Sequence, residues 1–382
     1  MTYMIPVLKP TYDEQTKREL LQVLDSGWVG YGPKTVEFQE KFAQYVGAKY
    51  GVGMNSATSG LHLCLKVYGI KGGELITTAF TFVADAIVGE WQGMDVTFAD
   101  IDPRTLCIDP NAIVIKPETK AIIAVDSHGR LADIKGIRRK CHEAGREDIL
   151  IIEDAAHAMY TPGAGQDADI TVWSFQAVKT LPIFDGGMVT TNNEEIAKKL
   201  KTLTWLGIER STFDRASGNA GYQWEYDITQ ADGIKAYMTD VQAVLGLGNL
   251  RRLEETNARR REIAKRYDEA FSGNSWFRAP EYSHTVQYYT AEWENRDGLC
   301  DFLAKKGVAT SVHFKPLHEL TYWKKGAKGP LPNTDQVWKK LLSLPVHNAL
   351  TNDELEYIIR SVKEFYEQNP DHGRNGETSS RA

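Results

Sequence analysis

The sequence predicts an α/β protein whose large domain holds a mainly parallel sheet covered by helices on both faces. Three observations carry that reading. Between residues 48 and 192, short apolar strands alternate with helical patterns at the spacing of β-α units. At 382 residues the chain exceeds one average domain. After residue 250 the pattern becomes a mixture of helices and short strands, which predicts a smaller C-terminal α+β domain. The expected division is 1–250 for the large domain with an N-terminal arm, 251–368 for the small domain, and a disordered polar tail at 369–382.

The elements follow in order. Tyr50-Gly51-Val52-Gly53-Met54 is strand-like, and Ser59 to Val67 is helical with Leu61, Leu63, Leu65 and Val67 at its apolar positions. Strands are expected at 74–77, 96–99, 121–125, 149–154, 170–175 and 188–191, and helices at 83–92 and 134–142. From Thr239 to about Phe271 runs a long helical stretch, with breaks expected at Gly246 and Gly248. In parallel sheets of this kind ligands bind beyond the carboxyl ends of the strands. Asn55, Asp154 and Lys179 all fall at or just past such ends.

Composition removes several function classes. The chain is 42% hydrophobic and 25% charged, as in ordinary soluble globular proteins. A net charge of −6 and a pI near 5.9 give no footprint for nucleic acid. No apolar run reaches about 18 residues, so no membrane span is expected. Met1 to Pro6 lacks a basic region leading into an apolar stretch, so no signal peptide is expected. Cys64, Cys107, Cys141 and Cys300 are scattered without CxxC spacing, which reads as reduced thiols in a cytoplasmic protein with no metal site.

Chemistry concentrates at Lys179. It ends the run Val172-Trp173-Ser174-Phe175-Gln176-Ala177-Val178-Lys179, whose aromatic and apolar neighbours argue against an exposed side chain. A lysine delivered to a strand end in a dry pocket has a depressed pKa, and its amine then attacks carbonyls. Asp154 ends the neighbouring apolar strand in Glu153-Asp154-Ala155-Ala156-His157-Ala158, where a buried acid needs a positive partner such as a pyridinium nitrogen. Lysine plus aspartate is what pyridoxal phosphate (PLP) requires: a Schiff-base partner and a ring-nitrogen partner. His157 stands within reach of the ring hydroxyl on this reading. Asn55-Ser56-Ala57-Thr58-Ser59-Gly60 opens a helix after a strand, freeing backbone amides to hold a phosphate, and Ser174 adds a hydroxyl. Phe82 follows the strand at 74–77 and is placed to stack on a ring. Each feature alone has an ordinary reading: an N-cap, a core phenylalanine, acids at a helix start, a surface lysine. Gly51-Val52-Gly53 is not GxGxxG, so a dinucleotide fold has little support.

With these residues in place the chain resembles the DegT/DnrJ/EryC1/StrS family of PLP-dependent sugar aminotransferases over about residues 4–365. The likeness is carried by Gly27-Trp28-Val29-Gly30-Tyr31-Gly32-Pro33, Thr81-Phe82-Val83-Ala84, and the two segments around Asp154 and Lys179. Two C-terminal segments add to it, His313-Phe314-Lys315-Pro316-Leu317-His318 and Leu342-Ser343-Leu344-Pro345-Val346-His347. The resemblance implies fold type I, the aspartate aminotransferase-like fold, as a homodimer with shared active sites. It implies Lys179 as the Schiff-base lysine and proton carrier, Asp154 on the ring nitrogen, and His157 near the ring hydroxyl. Phe82 would stack on the ring, with Thr58, Ser59 and Ser174 on the phosphate. It further implies glutamate as amino donor and a keto-sugar, nucleoside-diphosphate-linked, as acceptor, in a ping-pong cycle. His313, His318, Tyr322 and Trp205 are candidates for the acceptor pocket. The chain departs from the family pattern in three places. Gly233-Ile234-Lys235-Ala236-Tyr237-Met238 lacks the usual asparagine that reaches the other subunit's phosphate, leaving Lys235 or Tyr237 for that contact. Leu206-Gly207 replaces a His-Gly pair. The loop Thr180-Leu181-Pro182-Ile183-Phe184-Asp185 is more apolar than its counterparts. Alternatives are a keto-inositol acceptor, a same-fold sugar dehydratase, in which a histidine stands where Lys179 is, or a non-enzymatic regulator.

Overall fold

The computed structural model describes residues 4–369 apart from 160, 218–223, 225, 280–283 and 325–328. Two N-terminal helices, α1 (Glu14–Asp25) and α2 (Pro33–Val46), precede the sheet. Then come β1 (Tyr50–Met54), α3 (Ala57–Val67), β2 (Glu74–Thr78), α4 (Ala84–Trp91) and β3 (Asp95–Ala99). β4 (Thr119–Val125), α5 (Ile134–Glu143), β5 (Leu150–Asp154), β6 (Ile170–Ser174) and β7 (Gly187–Thr191) complete the sheet. Its strand order is β1-β7-β6-β5-β4-β2-β3. β2 through β6 pair in parallel, while β7 runs antiparallel to both β6 and β1.

Alternation along the strands sends side chains into two layers. Ala121, Ile123, Ile152, Val172 and Val189 face one layer with Leu61 and Leu65 of α3 and Val88 of α4. Ile122, Ala124 and Ile151 face the other, where they meet Ile134 and Ile137 of α5. Trp173 and Met188 pack on that second side against Phe38 and Phe42 of α2. Where both faces are covered, as in β4 and β5, the strands read as apolar runs, which is why they were legible in the sequence.

α6 (Glu194–Leu203) and the short α7 (Thr212–Ser217) lead to α8 (Asp240–Arg251) and α9 (Leu253–Phe271). The long helical stretch does break, but at Arg252 and not at Gly246 or Gly248. Those glycines lie inside α8 for packing reasons. A Cβ at Gly246 would fall 2.5 Å from the Phe38 ring, and one at Gly248 would fall 2.1 Å from Thr16 Oγ1. Helix propensity is given up so that α1 and α2 can approach α8 closely.

Beyond α9, a three-stranded antiparallel sheet forms from β8 (Phe277–Arg278), β9 (Tyr289–Trp293) and β10 (Leu341–Leu344). It is accompanied by α10 (Arg296–Lys305), α11 (Thr321–Lys324), α12 (Pro332–Val337) and α13 (Asn352–Gln368). Tyr267, Phe271, Trp293, Leu299, Ile358 and Val362 form its own core. Ile5 joins this core and bridges Val308, so the N-terminal arm is fastened to the C-terminal sheet region. Of the tail expected at 369–382, Asn369 caps α13 and the remainder lies outside the described residues. No helix among the described residues is long and apolar enough to cross a membrane.

Candidate active site

The parallel strands end on one side of the sheet, and a cavity of about 440 Å³ opens there. Ser56, Thr58, Phe82, Asp154, His157, Ser174, Lys179 and His313 all line it. Six of the proposed cofactor contacts therefore converge with one proposed acceptor contact.

Lys179 sits on the connection between β6 and β7. That connection folds back on itself: Ala177 N–H donates to Phe184 O at 2.8 Å and Ile183 N–H to Phe175 O at 2.8 Å. Leu181 and Ile183 are buried in the core beside α8, which explains why this loop is apolar. Gln287 clamps both flanks of the lysine. Its Oε1 accepts from Thr180 N–H at 3.1 Å and from Thr180 Oγ1 at 2.9 Å, and its Nε2 donates to Val178 O at 2.8 Å. Burial pushes the Lys179 amine down to about 8, against the pull of Asp154 and Asp85. A neutral, nucleophilic fraction is thus present near neutral pH.

Asp154 ends β5. Its Oδ1 accepts from Ala156 N–H at 2.9 Å, forming a turn; no helix begins here. Burial raises its carboxyl, while a hydrogen bond from Asp85 and the nearness of Lys179 work to keep it ionised. His157 lies between Phe314, stacked at 5.8 Å, and Tyr288, edge-on at 5.2 Å. The His128 backbone N–H points to His157 Nδ1 at 3.4 Å, so the proton belongs on Nε2. Burial, with Lys179 next in size, holds this imidazole neutral, well below its usual range. A neutral ring with Nε2–H is a donor suited to a phenolic oxygen.

The helix end expected to hold a phosphate is that of α3. Ser56 caps the helix by accepting from Ser59 N–H at 3.1 Å, and the Ser56 and Ser59 hydroxyls lie 3.0 Å apart. The predicted turn is therefore both an N-cap and an open helix end. Thr58 faces the cavity, whereas Ser59 is turned into the cap. β7 starts hard against this helix: a Cβ on Gly187 would stand 2.6 Å from Ala57 N. Gly187 thus serves a contact within the chain. Phe82 is 55% exposed and meets Phe314 at 6.2 Å, leaving a ring face open toward the cavity.

Other predicted residues lie elsewhere. His318 pairs with Asp335 at 2.8 Å and Tyr322 is 65% exposed; neither lines this cavity. His318, Glu319 and Asp335 bring three potential ligand atoms within 4.8 Å of one another. Lys235 Nζ lies 5.4 Å over the Trp205 ring, which meets Tyr237 edge-on at 4.9 Å. Trp205 and Tyr237 line a second cavity of about 280 Å³ with Trp28 and Tyr31. Leu206, where the His-Gly pair is lost, adopts φ 57°.

Sequence reasoning missed Asp85, Gln287 and Tyr288. Asp85 is fully buried beside Asp154, and Thr81 Oγ1 donates to it at 2.7 Å. An acid in the apolar run Ala84 to Val88 was a visible signal. Gln287 and Tyr288 carried none, because their segment reads only as a strand approach.

A buried lysine of low pKa, a buried carboxylate, a neutral histidine donor and a capped helix end fit PLP in donor chemistry and in space. The fold and site define a PLP-dependent enzyme of fold type I. The comparisons give the family: the chain belongs to the DegT/DnrJ/EryC1/StrS aminotransferase family, which matches residues 10–363. It is 34% identical to the spore coat polysaccharide biosynthesis protein SpsC of Bacillus subtilis, covering 95% of this chain and 97% of that one. Spr1654 of Streptococcus pneumoniae, assigned as a sugar aminotransferase and solved in its PMP form, superposes with a TM-score of 0.88. It is 30% identical, over 95% of this chain and 99% of the other. The aminotransferase TlmJ of Streptoalloteichus hindustanus gives a TM-score of 0.87 at 30% identity, over 96% and 100%. The chain is a PLP-dependent aminotransferase, and the regulator reading falls away.

Proposed function

We propose that the enzyme moves the amino group of glutamate onto a keto-sugar linked to a nucleoside diphosphate, in two half-reactions at one site. The observation that carries this is Lys179, buried at the strand ends with its amine lowered to about 8 beside Asp154 and His157. PLP, when bound, supplies the electron sink that lets a proton leave the substrate carbon. Lys179 would be the residue that holds it covalently, and its free amine the group that would carry that proton. Asp154 would hold the ring nitrogen's positive charge, His157 Nε2–H would steady the ring oxygen, and Thr58, Ser174 and the α3 amides would bind the phosphate. Phe82 and Phe314 exclude water from the ring. His313, stacked on Tyr288 at 3.7 Å, faces the same cavity and is the proposed acceptor contact.

A sugar acceptor is supported by the relatives, whose descriptions name a polysaccharide pathway and a sugar aminotransferase. Glutamate, the nucleotide linkage, the homodimer with Lys235 toward the partner's phosphate, and a cytoplasmic site rest on the family resemblance. One lysine in one cavity supports a ping-pong order. The retained lysine speaks against dehydration.

The test is the absorbance spectrum of the protein with PLP, before and after glutamate, followed by a panel of keto-sugars. We expect the lysine-bound band to fade to the pyridoxamine band with glutamate and to return with a nucleotide-linked keto-sugar. A band that returns only with a keto-inositol moves the acceptor to that class. A band unchanged by glutamate removes the donor.

A further inference from the structure

Asp85 is the one buried acid at the site that no step above uses. It lies in the first turn of α4, 1% exposed, under the strand end that carries Asp154. Its Oδ2 accepts from Thr81 Oγ1 at 2.7 Å. Its Oδ1 is buried and, among the described residues, meets no donor from backbone or side chain. The titratable groups facing it are Asp154 from the end of β5 and Lys179 from the β6–β7 connection.

Two buried carboxylates in contact do not both ionise, because their repulsion in a dry site exceeds what one hydrogen bond offsets. One proton must lie between them. Each acid accepts one bond, Asp154 from Ala156 N–H and Asp85 from Thr81 Oγ1, but of the two only Asp85 has a buried oxygen left without a donor among the described residues. The anion belongs where donors are supplied, and the proton where they are lacking. We propose that Asp85 is a neutral carboxylic acid whose Oδ1–H donates to Asp154, making it the positioning residue that keeps the ring-nitrogen carboxylate ionised and in place. Burial raises both acids, Asp85 well above the usual carboxylate range with Asp154 adding to the rise, while the Asp85 hydrogen bond pulls Asp154 part of the way back down.

Consequences follow for each neighbour. Thr81 completes the arrangement by donating to the carbonyl oxygen of the acid. An amide at position 85 reproduces both bonds, with Nδ2–H toward Asp154 and Oδ1 toward Thr81. A methyl at position 85 leaves Asp154 short of a donor in a buried place. The state of Asp85 does not depend on which acceptor the enzyme uses, because the pair exists in the protein without cofactor.

Infrared difference spectroscopy on the cofactor-free protein at neutral pH tests this. The protonated-carboxyl C=O band is expected in the wild-type protein and lost in Asp85→Asn. It should shift to higher frequency in Thr81→Val, which removes the bond to that carbonyl and keeps the shape. The second buried acid pair, Asp126 with Glu153, contributes a band that neither change moves. With PLP bound, Asp85→Asn should keep the pH midpoint of the cofactor's absorbance. Asp85→Ala should move it and weaken PLP by about tenfold, the size of one hydrogen bond to a charged group. If Asp85→Asn loses no band and Thr81→Val shifts none, Asp85 is not protonated and the proposal is overturned. If Asn at this position behaves like Ala, donation to Asp154 is not what Asp85 does.

Discussion

Replacing Lys179 with methionine separates the cost of burying the amine from everything else the residue does. Lys179 drops from its ordinary 10.5 to about 8, with burial the largest cause. At about 1.4 kcal/mol per unit that drop corresponds to roughly 3 kcal/mol. The folded-state pKa is lowered, so between about pH 8 and 10.5 the unfolded chain binds more protons than the folded one, and stability rises with pH across that window. Below about pH 8 the full cost is present. Methionine is similar in length, apolar and without a proton to lose. Urea unfolding of the cofactor-free wild type and Lys179→Met, at steps from pH 7 to 10.5, should show a stability gap that moves in favour of wild type by up to about 3 kcal/mol. Groups elsewhere titrate in both proteins and cancel in the difference. A gap that stays constant over the window would refute the depressed amine, and with it the argument that Lys179 is nucleophilic near neutral pH.

Three further outcomes follow from the same geometry. Gly187→Ala puts a Cβ 2.6 Å from Ala57 N, so the capped end of α3 must move; about 1–3 kcal/mol of stability and a weaker hold on PLP are expected in denaturation and cofactor titrations. Phe82→Ala removes a ring that is 55% exposed, so unfolding should change by no more than about 0.5 kcal/mol while PLP binding weakens by about 0.5–1.5 kcal/mol, as measured by fluorescence titration. His157→Leu deletes the Nε2–H donor, and PLP dissociation should quicken by about tenfold or more, consistent with losing one bond to a charged oxygen.

How much of this was legible in sequence depended on how local the cause was. The central strands β4, β5 and β6 could be read because strands buried on both faces are largely apolar, and the edge strands β1 and β3, partly open to solvent, by their place in the β-α alternation. The segments around Asp154 and Lys179 stood out because polar groups in apolar runs conflict with their surroundings unless they have a function. The break in the long helix was misplaced because a glycine in a sequence looks like weak helix, and only the neighbouring Phe38 and Thr16 show it to be a contact.

The sequence alone determined the layer architecture and singled out Lys179, Asp154 and the start of α3 as the proposed site, since each is written in a short stretch of residues. Tertiary structure alone decided who stands beside whom. It turned the Ser59 hydroxyl toward the Ser56 cap, sent His318 to Asp335, and set Gln287 across the Lys179 loop from more than a hundred residues away. It also placed Asp85 against Asp154, where burial changes what both acids are. Proton positions and pKa values depend on distance and on the exclusion of water, and neither quantity exists until the chain has folded.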